Sequence, residues 1–204
     1  KSNNVVDWKY DKIVLREKFH LSYPCIFKWN SEFYMIPESG KTKTIRLYKS
    51  ENFPYNWKFV KTILAGKEFM DSTIFFHNHL WWLFTETNNN SVLRLYYSDS
   101  PMGQWNEHKK SPIINGNSSI ARPAGNVIID NNKIIRYAQD DDGGYGNQVW
   151  AFEVLKLTKE DYIEKKISNK PLLKGFEKWN KHGMHHISSI KLRNKLWISC
   201  VDGY

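Results

Sequence analysis

The chain has 204 residues, of which 41% are hydrophobic, 15% aromatic and 25% charged, and this composition is typical of one globular domain. It excludes a disordered or collagen-like protein, and no apolar run reaches the roughly 18 residues of a membrane-spanning helix. The formal net charge is +9, but the basic residues are scattered and form no block longer than a pair. Because nucleic-acid-binding proteins usually concentrate their charge, we expect no nucleic-acid partner and interpret the charge as surface composition.

The start of the chain and its two cysteines allow further expectations. The sequence begins with Lys1 rather than Met, so we expect it to be part of a longer protein. It has no basic segment followed by an apolar one, as a signal peptide would, and we expect a cytoplasmic location. Cys25 and Cys200 lie in apolar, strand-like surroundings, which favours two buried free thiols over a disulfide.

A repeat organises the chain. Residues 24–38 (PCIFKWNSEFYMIPE) and residues 72–86 (STIFFHNHLWWLFTE) align when they are shifted by 48 positions. A third copy begins at Ala121 and a fourth, shorter one begins at His182. Each copy has three or four short runs rich in β-branched and aromatic residues, separated by turn sequences such as Asn131-Asn132. Four-stranded sheets that recur every ~40–50 residues are typical of a β-propeller.

The repeat predicts an all-β fold, with a single β-propeller domain of about four blades over the whole chain. We expect blades at 20–66, 67–116 and 117–176, a partial last blade at 177–204, and the outer strand of an incomplete blade at 1–19. Two arrangements fit this count. Either the amino-terminal strand completes the last blade of a four-bladed ring, or the chain belongs to a five-bladed ring without its first blade, which we favour.

Polar residues precede the innermost strand of each copy, and such positions converge at one rim of a propeller. They differ from blade to blade, which favours a built site over a purely structural repeat. Asp71 directly precedes an apolar strand and is the best candidate acid or base; alternatively, it caps a turn or pairs with Arg122. Arg122 would then either clamp a carboxylate or phosphate or neutralise Asp71. Glu38 and Glu86 occupy equivalent places after the second strands, where either catalysis or a blade-to-blade hydrogen bond would suit them.

Further polar and aromatic side chains are candidates for contacts with a ligand. We expect the ligand contacts at the rim to include His20, Tyr23, Gln139, Asp140, Tyr145, His182, His185 and His186. By contrast, Asp141 and Asp142 are expected to be solvated turn residues, and Trp81 and Trp82 to pack between blades. The histidines lack the partners of a zinc site, and no phosphate-binding, dinucleotide-binding or nucleophile-elbow motif occurs, so we expect no metal or cofactor.

Five segments of the chain together resemble a known family. They are HLSYPCIFKWNSEFYMIPES (20–39), MDSTIFFHNHLWWLF (70–84), ARPAGNVI (121–128), YAQDDDGGYG (137–146) and HGMHHIS (182–188). The family is the propeller domain at the amino terminus of plant glucosamine inositolphosphorylceramide transferases, which also occurs in bacterial proteins beside sugar formyltransferase-like domains. It is similar in turn to the five-bladed propellers of glycoside hydrolase families 43, 32 and 68.

This resemblance implies a carbohydrate site at the channel mouth. In the hydrolases, Asp and Glu residues of the first three blades act as base, pKa modulator and acid, and Asp71 could be one of these carboxylates. The blade that supplies the usual base has no counterpart here, and residues 20–24 offer no carboxylate. We therefore expect a carbohydrate-recognising module of glycan or glycolipid synthesis, fused to or acting with a transferase domain.

Two alternatives remain open. The chain could be a glycoside hydrolase or glycosyl-transferring enzyme that pairs Asp71 with Glu38, Glu86 or Asp140, because glycoside hydrolysis needs two carboxyl groups. It could also be a protein-interaction scaffold, as many propellers are. A scaffold needs no polar rim, so the varied polar residues before the innermost strands argue against it.

Overall fold

A computed structural model describes residues 1–193 and 196–204. Within these ranges, the regular elements are strands and one 3-10 helix at Gly40–Thr42, which confirms the predicted all-β fold. The strands form four sheets that follow one another along the chain. Nowhere in the described ranges is there a helix with the length and hydropathy needed to cross a bilayer.

The first two sheets are antiparallel meanders. The first sheet has the order β1 (Ser22–Trp29), β2 (Glu32–Glu38), β3 (Thr44–Asn52) and β4 (Tyr55–Ala65). The second sheet has the order β5 (Met70–His77), β6 (Leu80–Thr87), β7 (Val92–Ser98) and β8 (Asn106–Glu107), and β9 (Ile114–Asn115) also pairs with β7.

The third and fourth sheets depart from this plan. The third sheet has the order β10 (Arg122–Pro123), β12 (Lys133–Asp140), β13 (Gln148–Leu157) and β14 (Tyr162–Lys166), while β11 (Ile128–Asp130) pairs with β12 and β15 (Leu173–Lys174) with β13. The fourth sheet is the hairpin of β16 (Met184–Arg193) and β17 (Leu196–Gly203). The arrangement confirms a β-propeller, whereas a ring of five blades stays a prediction.

The predicted turns form one hairpin in each of the first three sheets, between β1 and β2, β5 and β6, and β11 and β12. Their residues are Asn30-Ser31, Asn78-His79 and Asn131-Asn132, and all six φ angles lie between 48° and 65°. A type I′ hairpin turn requires positive φ at both central residues, and asparagine tolerates this conformation better than most residues. The repeated asparagines therefore fix the register of three equivalent hairpins.

Apolar side chains fill the space between successive sheets. Trp81 and Trp82 are neighbours on β6, and neighbouring side chains of a strand point to opposite faces. Accordingly, Trp81 packs with Ile36 and Leu47 of the first sheet, whereas Trp82 packs with Ile134 of the third sheet. Both tryptophans are buried, so the packing role predicted for them is confirmed.

The third and fourth sheets meet closely at Gly125. The Ile187 N–H donates to the Ala124 carbonyl over 2.7 Å. Gly125 has φ +138°, and a Cβ atom there would lie 1.8 Å from the Ile187 carbonyl oxygen. Only glycine fits such a contact, and the inner strand of the third sheet is interrupted here between β10 and β11.

Residues 1–19, predicted to supply an outer strand, contain no strand. Side chains hold this segment against the first sheet instead. Leu15 packs on the cluster of Tyr48 and Trp57, and Glu17 accepts a hydrogen bond from the Tyr48 hydroxyl over 2.8 Å. Because these contacts come from side chains, the backbone of the segment is not in register with any described strand.

The two cysteines are both free, but they differ in burial. Cys25 is buried between the first and second sheets, as expected. Cys200 is exposed, which corrects the expectation of a second buried thiol. It lies on β17, and β16 is the only partner of that strand in the described residues, so most of its side chains face solvent.

A buried ion pair closes the third sheet and gives a test of its stability. Arg136 is 1% exposed and binds Glu164 through two nitrogens at 2.7 and 2.8 Å. Glu164→Ala should lower the free energy of unfolding by ~3–5 kcal/mol, because it leaves a buried guanidinium without a counter-charge. Urea denaturation measures this change. Glu160→Ala, which breaks an exposed pair with Lys109, should leave stability within experimental error, and equal losses from both changes would contradict the interpretation.

Candidate functional site

A cavity of about 190 Å³ lies where the inner strands of the four sheets approach one another. Every sheet contributes to it, as the repeat predicts for residues that precede the innermost strands. Its lining residues are Ser22, Tyr23, Pro24, Asp71, Arg122, Gln139, Tyr145, His185, His186 and Asp202.

Two of these residues reach the cavity from the same kind of backbone irregularity. Tyr23 and Asp71 have φ of +42° and +46°, and each lies where the pairing of an inner strand with its neighbour shifts register. They occupy positions 48 residues apart, so they are equivalent in the repeat. A β-bulge re-aims side chains, and a non-glycine residue with positive φ is strained. In both sheets the bulge directs a polar side chain into the centre of the propeller.

Asp71 is the centre of a buried polar network. Its Oδ2 atom accepts hydrogen bonds from Arg122 Nε and from Gln139 Nε2, both over 2.7 Å. Arg122 also donates through Nη1 to Asn90 Oδ1 over 3.0 Å. Burial opposes the charge on Arg122, but the Asp71 carboxylate holds the pKa of Arg122 above its usual value. Asp71 is thus paired with Arg122, which was one of the roles expected for it, while a role as acid or base stays a prediction.

Glu38 and Glu86 lie beside this network and are both buried. The pKa of Glu38 is raised, first by burial and then by the neighbouring Asp71 charge, although Arg122 opposes the shift with its Nη2 atom 3.8 Å from Glu38 Oε2. Burial raises the pKa of Glu86 to about 7. The Oε2 atom of Glu86 has no hydrogen-bond partner in the described part of the chain. Both carboxyl groups therefore stay protonated to a higher pH than an ordinary glutamate does.

Tyr23 ties the first sheet to the third and fourth. Its hydroxyl oxygen accepts a hydrogen bond from the Gly125 N–H over 2.6 Å and lies 2.8 Å from Thr73 Oγ1. Its ring contacts the His186 ring edge to face, with 4.9 Å between centroids. Burial lowers the pKa of His186, so this ring is uncharged near neutral pH. Tyr23 thus forms one wall of the cavity, and its hydroxyl group is already hydrogen-bonded within the protein.

His185 and Tyr145 form the opposite wall. His185 Nε2 lies 3.2 Å from Asp202 Oδ2, while His185 Nδ1 is buried and has no partner among the described residues. The Tyr145 ring lies 5.0 Å from the His185 ring and 5.2 Å from the Arg122 guanidinium carbon. Tyr145 is 45% exposed, so one part of its ring remains open to solvent.

Several predicted site residues lie away from the cavity lining. His20 is exposed, and His182 is an exposed residue that stacks on Tyr204. Asp140 accepts hydrogen bonds from Gln148 Nε2 and Trp150 Nε1, which fix the start of β13. These contacts occupy the Asp140 carboxylate with groups of its own sheet.

The acidic turn after β12 also differs from expectation. Asp142 is exposed, as predicted, but Asp141 is partly buried and not solvated. Its Oδ1 atom accepts a hydrogen bond from the Gly146 N–H over 2.6 Å, and burial raises its pKa. The turn curls back on itself, so that Asp141 shapes the loop that carries Tyr145.

Two contributors were missed in the sequence. Asp202 lies opposite His186 in the hairpin of the fourth sheet. Glu38 and Glu86 lie near the corresponding position of the first and second sheets, each opposite a residue of the inner strand, so strict use of the repeat could have found Asp202. Asn90 belongs to a run of three asparagines after β6, and nothing in that run distinguishes the one that meets Arg122.

The network offers donors, acceptors and protons in a confined space. Gln139 Nε2 faces two acceptors, Asp71 Oδ2 and the Pro123 carbonyl at 3.0 Å, which fixes the orientation of its amide. Gln139 Oε1 is then left buried without a partner in the described residues. Partnerless buried polar atoms are uncommon, and two residues of the cavity lining have one, Gln139 at Oε1 and His185 at Nδ1.

The raised pKa of Glu86 gives a test by pH. A glutamate in the unfolded chain has a pKa of about 4.3, whereas Glu86 in the folded chain has one of about 7. Protonation of Glu86 therefore stabilises the folded chain fully below pH ~4.3, and this stabilisation is lost as the pH rises to 7. Glu86→Gln should make the free energy of unfolding fall less between low and high pH. At pH 8 it should raise that free energy by a few kcal/mol, since one pKa unit corresponds to about 1.4 kcal/mol.

Urea denaturation at pH 5 and pH 8 measures the effect of Glu86→Gln. The exposed Glu68 provides a control, because Glu68→Gln should leave the difference between the two pH values as it is in the unchanged chain. An equally steep fall in stability for Glu86→Gln would show that this carboxyl group is not buried in its protonated form.

Comparison with solved structures shows the fold. A thermostable family-43 glycoside hydrolase superposes with a TM-score of 0.60 at 17% identity, over 83% of this chain and 58% of that one. A xylan beta-1,4-xylosidase from Bacillus halodurans C-125 gives a TM-score of 0.62 at 14% identity, over 85% of this chain and 35% of that one. A family 117 glycoside hydrolase from Zobellia galactanivorans gives 0.55 at 14% identity, over 75% and 47%. The fold is thus a propeller of the family-43 type.

Comparison of sequences shows the family. Two curated proteins named glucosamine inositolphosphorylceramide transferase 1 match over 205 residues: one from Oryza sativa subsp. japonica at 38% identity and one from Arabidopsis thaliana at 37%. Each match covers 96% of this chain but 27% of the relative, so the chain spans about a quarter of their length. The family described as glucosamine inositolphosphorylceramide transferase 1, N-terminal, matches residues 1–204, and the chain belongs to it.

Proposed function

We propose that this chain is a carbohydrate-recognising β-propeller module that binds a sugar in the central cavity and serves glycan or glycolipid synthesis. The observation that carries the proposal is the cavity itself, to which every sheet contributes polar side chains. Two of its lining residues, Gln139 and His185, also have a buried atom without a partner in the described residues, Oε1 and Nδ1. Sugar hydroxyl groups both donate and accept hydrogen bonds, which suits a lining of this kind.

The aromatic wall supports the same ligand class. The half-exposed ring of Tyr145 offers a flat apolar face beside His185 and Arg122. Aromatic faces next to a few placed polar groups are typical of sites that bind rings with polar edges. Tyr145 would therefore pack on the sugar ring, while the polar wall contacts its hydroxyl groups.

The charges of the cavity favour a neutral or amino sugar over a sugar phosphate. Asp71 neutralises Arg122, and His186 is uncharged near neutral pH. The Asp202 carboxylate remains at the wall, where it would repel a phosphate and attract an ammonium group. The relatives are named glucosamine inositolphosphorylceramide transferase, so glucosamine is the first ligand to test. A transferase domain elsewhere in the protein would carry out the chemistry.

Titration with saccharides tests this proposal. Hexoses and glucosamine should shift NMR signals of the cavity residues, and glucose 6-phosphate should bind more weakly than either. Tyr145→Ala should weaken binding by ~2–10-fold, the range expected for one aromatic contact. Tyr10→Ala, a matched change of an exposed tyrosine outside the cavity, should not alter the affinity. Silence across the whole panel would refute sugar binding, and a preference for the phosphate would refute the charge argument.

A glycoside hydrolase or glycosyl-transferring activity is the second candidate function, and one observation favours it. Burial raises the pKa of Glu38, which lies beside Asp71, and glycosidases use a pair of neighbouring carboxyl groups. Against it, Asp71 Oδ2 is occupied by Arg122 and Gln139, as in a binding or structural role. We therefore place sugar recognition first.

Aryl glycosides distinguish the two candidates. If the chain hydrolyses any of them, Asp71→Asn and Glu38→Gln should each abolish turnover, whereas Asp142→Asn, a change at the exposed turn, should retain it. Full activity of Asp71→Asn would remove Asp71 from a catalytic role. Saccharide binding by the unchanged chain without turnover of a broad panel would leave recognition as the function.

A further inference from the structure

The loop between β15 and β16, residues 175–183, exposes large aromatic side chains. Phe176 is 83% exposed and Trp179 is 58% exposed, and Leu172, just before β15, is 47% exposed. We name residues 175–183 the rim loop. Isolated apolar side chains on a surface are ordinary, but several within a few residues mark an interaction site.

The rim loop is held in place by its own hydrogen bonds. Asn180 is 2% exposed, and its Oδ1 atom accepts from the N–H groups of Glu177 and Phe176 over 2.8 and 3.2 Å. A Cβ atom on Gly175 would lie 1.9 Å from the Asn180 carbonyl oxygen, so the loop closes tightly on itself. The buried Asn180 therefore fixes a turn from which Phe176 and Trp179 project.

Exposed basic residues flank these aromatic residues in the sequence. Four lysines, namely Lys170, Lys174, Lys178 and Lys181, stand against the single acidic residue Glu177. None of the four forms an ion pair with a described residue. Aromatic and aliphatic side chains flanked by lysines are the combination that binds the interface of an anionic bilayer, because the rings enter the headgroup region and the lysines meet lipid phosphates.

The rim loop lies beside the mouth of the cavity. Its residue His182 stacks on Tyr204, with 6.2 Å between ring centroids, and Tyr204 in turn stacks on Tyr145 at the same distance. Tyr145 lines the cavity. A surface bound to the rim loop would therefore lie close to the cavity mouth.

We propose that the rim loop docks the propeller onto an anionic membrane surface, with Phe176 and Trp179 in the headgroup region. This docking stands on the loop itself and does not require that the cavity bind a sugar. If the proposed function also holds, docking brings the cavity to the headgroups of membrane glycolipids.

Vesicle sedimentation tests the docking. The full chain should bind vesicles of phosphatidylcholine and phosphatidylserine more tightly than phosphatidylcholine alone, and salt should weaken the binding. Phe176→Ser with Trp179→Ser should lower the affinity at least ~10-fold. Lys174→Gln with Lys178→Gln and Lys181→Gln should also lower it at least ~10-fold, since each lysine near an anionic surface adds to the attraction.

Matched controls separate the rim loop from the general charge. Lys41→Gln with Lys67→Gln and Lys110→Gln removes the same charge from other exposed positions, and this triple change should leave vesicle affinity within ~2-fold of the unchanged chain. Lipids brominated near the headgroup should quench the fluorescence of the unchanged chain more than that of Trp179→Phe, which lacks the ring at the proposed contact. All variants should melt at the same temperature, since the changed side chains are exposed.

Three results would overturn the proposal. The unchanged chain could fail to bind anionic vesicles, or the rim-loop variants could bind as tightly as the controls. Heparin could also compete with vesicles while brominated lipids fail to quench Trp179. This result would show that the rim loop binds a soluble polyanion rather than a membrane. Saccharide titration of Phe176→Ser with Trp179→Ser keeps the two proposals apart, because a loss of vesicle binding with unchanged sugar binding affects the rim loop alone.

Discussion

A buried guanidinium must be neutralised, and the centre of this propeller is arranged around that requirement. Arg122 of the third sheet meets Asp71 of the second, Asn90 of the loop after β6, and Glu38 of the first sheet at longer range. Apolar packing lies between the sheets, while this polar network crosses their inner edges. Removing one partner of a buried ion pair is costly, so the network stabilises the contact between the sheets and also shapes the cavity. Fold and site share the same residues here.

The centre has more acidic side chains than basic ones, and raised pKa values of two glutamates reduce its net negative charge. Among the described residues, the one cation within 4 Å of either glutamate is Arg122, whose Nη2 atom lies 3.8 Å from Glu38 Oε2. Burial therefore keeps Glu38 and Glu86 protonated to a higher pH than an ordinary glutamate. The cavity lining thus includes the pair of Asp71 and Arg122, while Glu38 and Glu86 are buried beside it.

The features that depend on local chemistry were predictable from the sequence. Asparagine turns, the alternating tryptophans of β6 and the spacing of Asp71 from Tyr23 all follow from the repeat, which each unit must satisfy in order to pack on its neighbours. Contacts between distant loops were not predictable in this way. Asn90 reaches Arg122 only because the ring brings their loops together, and the side-chain contacts of residues 1–19 leave no periodic trace.

The bulges at Tyr23 and Asp71 have a consequence for how the chemistry of this centre can change. In each of these inner strands, a bulge inserts one extra residue relative to the neighbouring strand, and the residues on either side of the bulge pair regularly. The residue types at these positions are a phenol in the first sheet and a carboxylate in the second, and the fourth sheet has an imidazole at its own register shift, His185. The same backbone irregularity thus places different functional groups at equivalent points of the propeller centre. Exchanging one of these groups also requires new partners, because Asp71 is bound by Arg122 and Gln139 and the Tyr23 hydroxyl by Gly125.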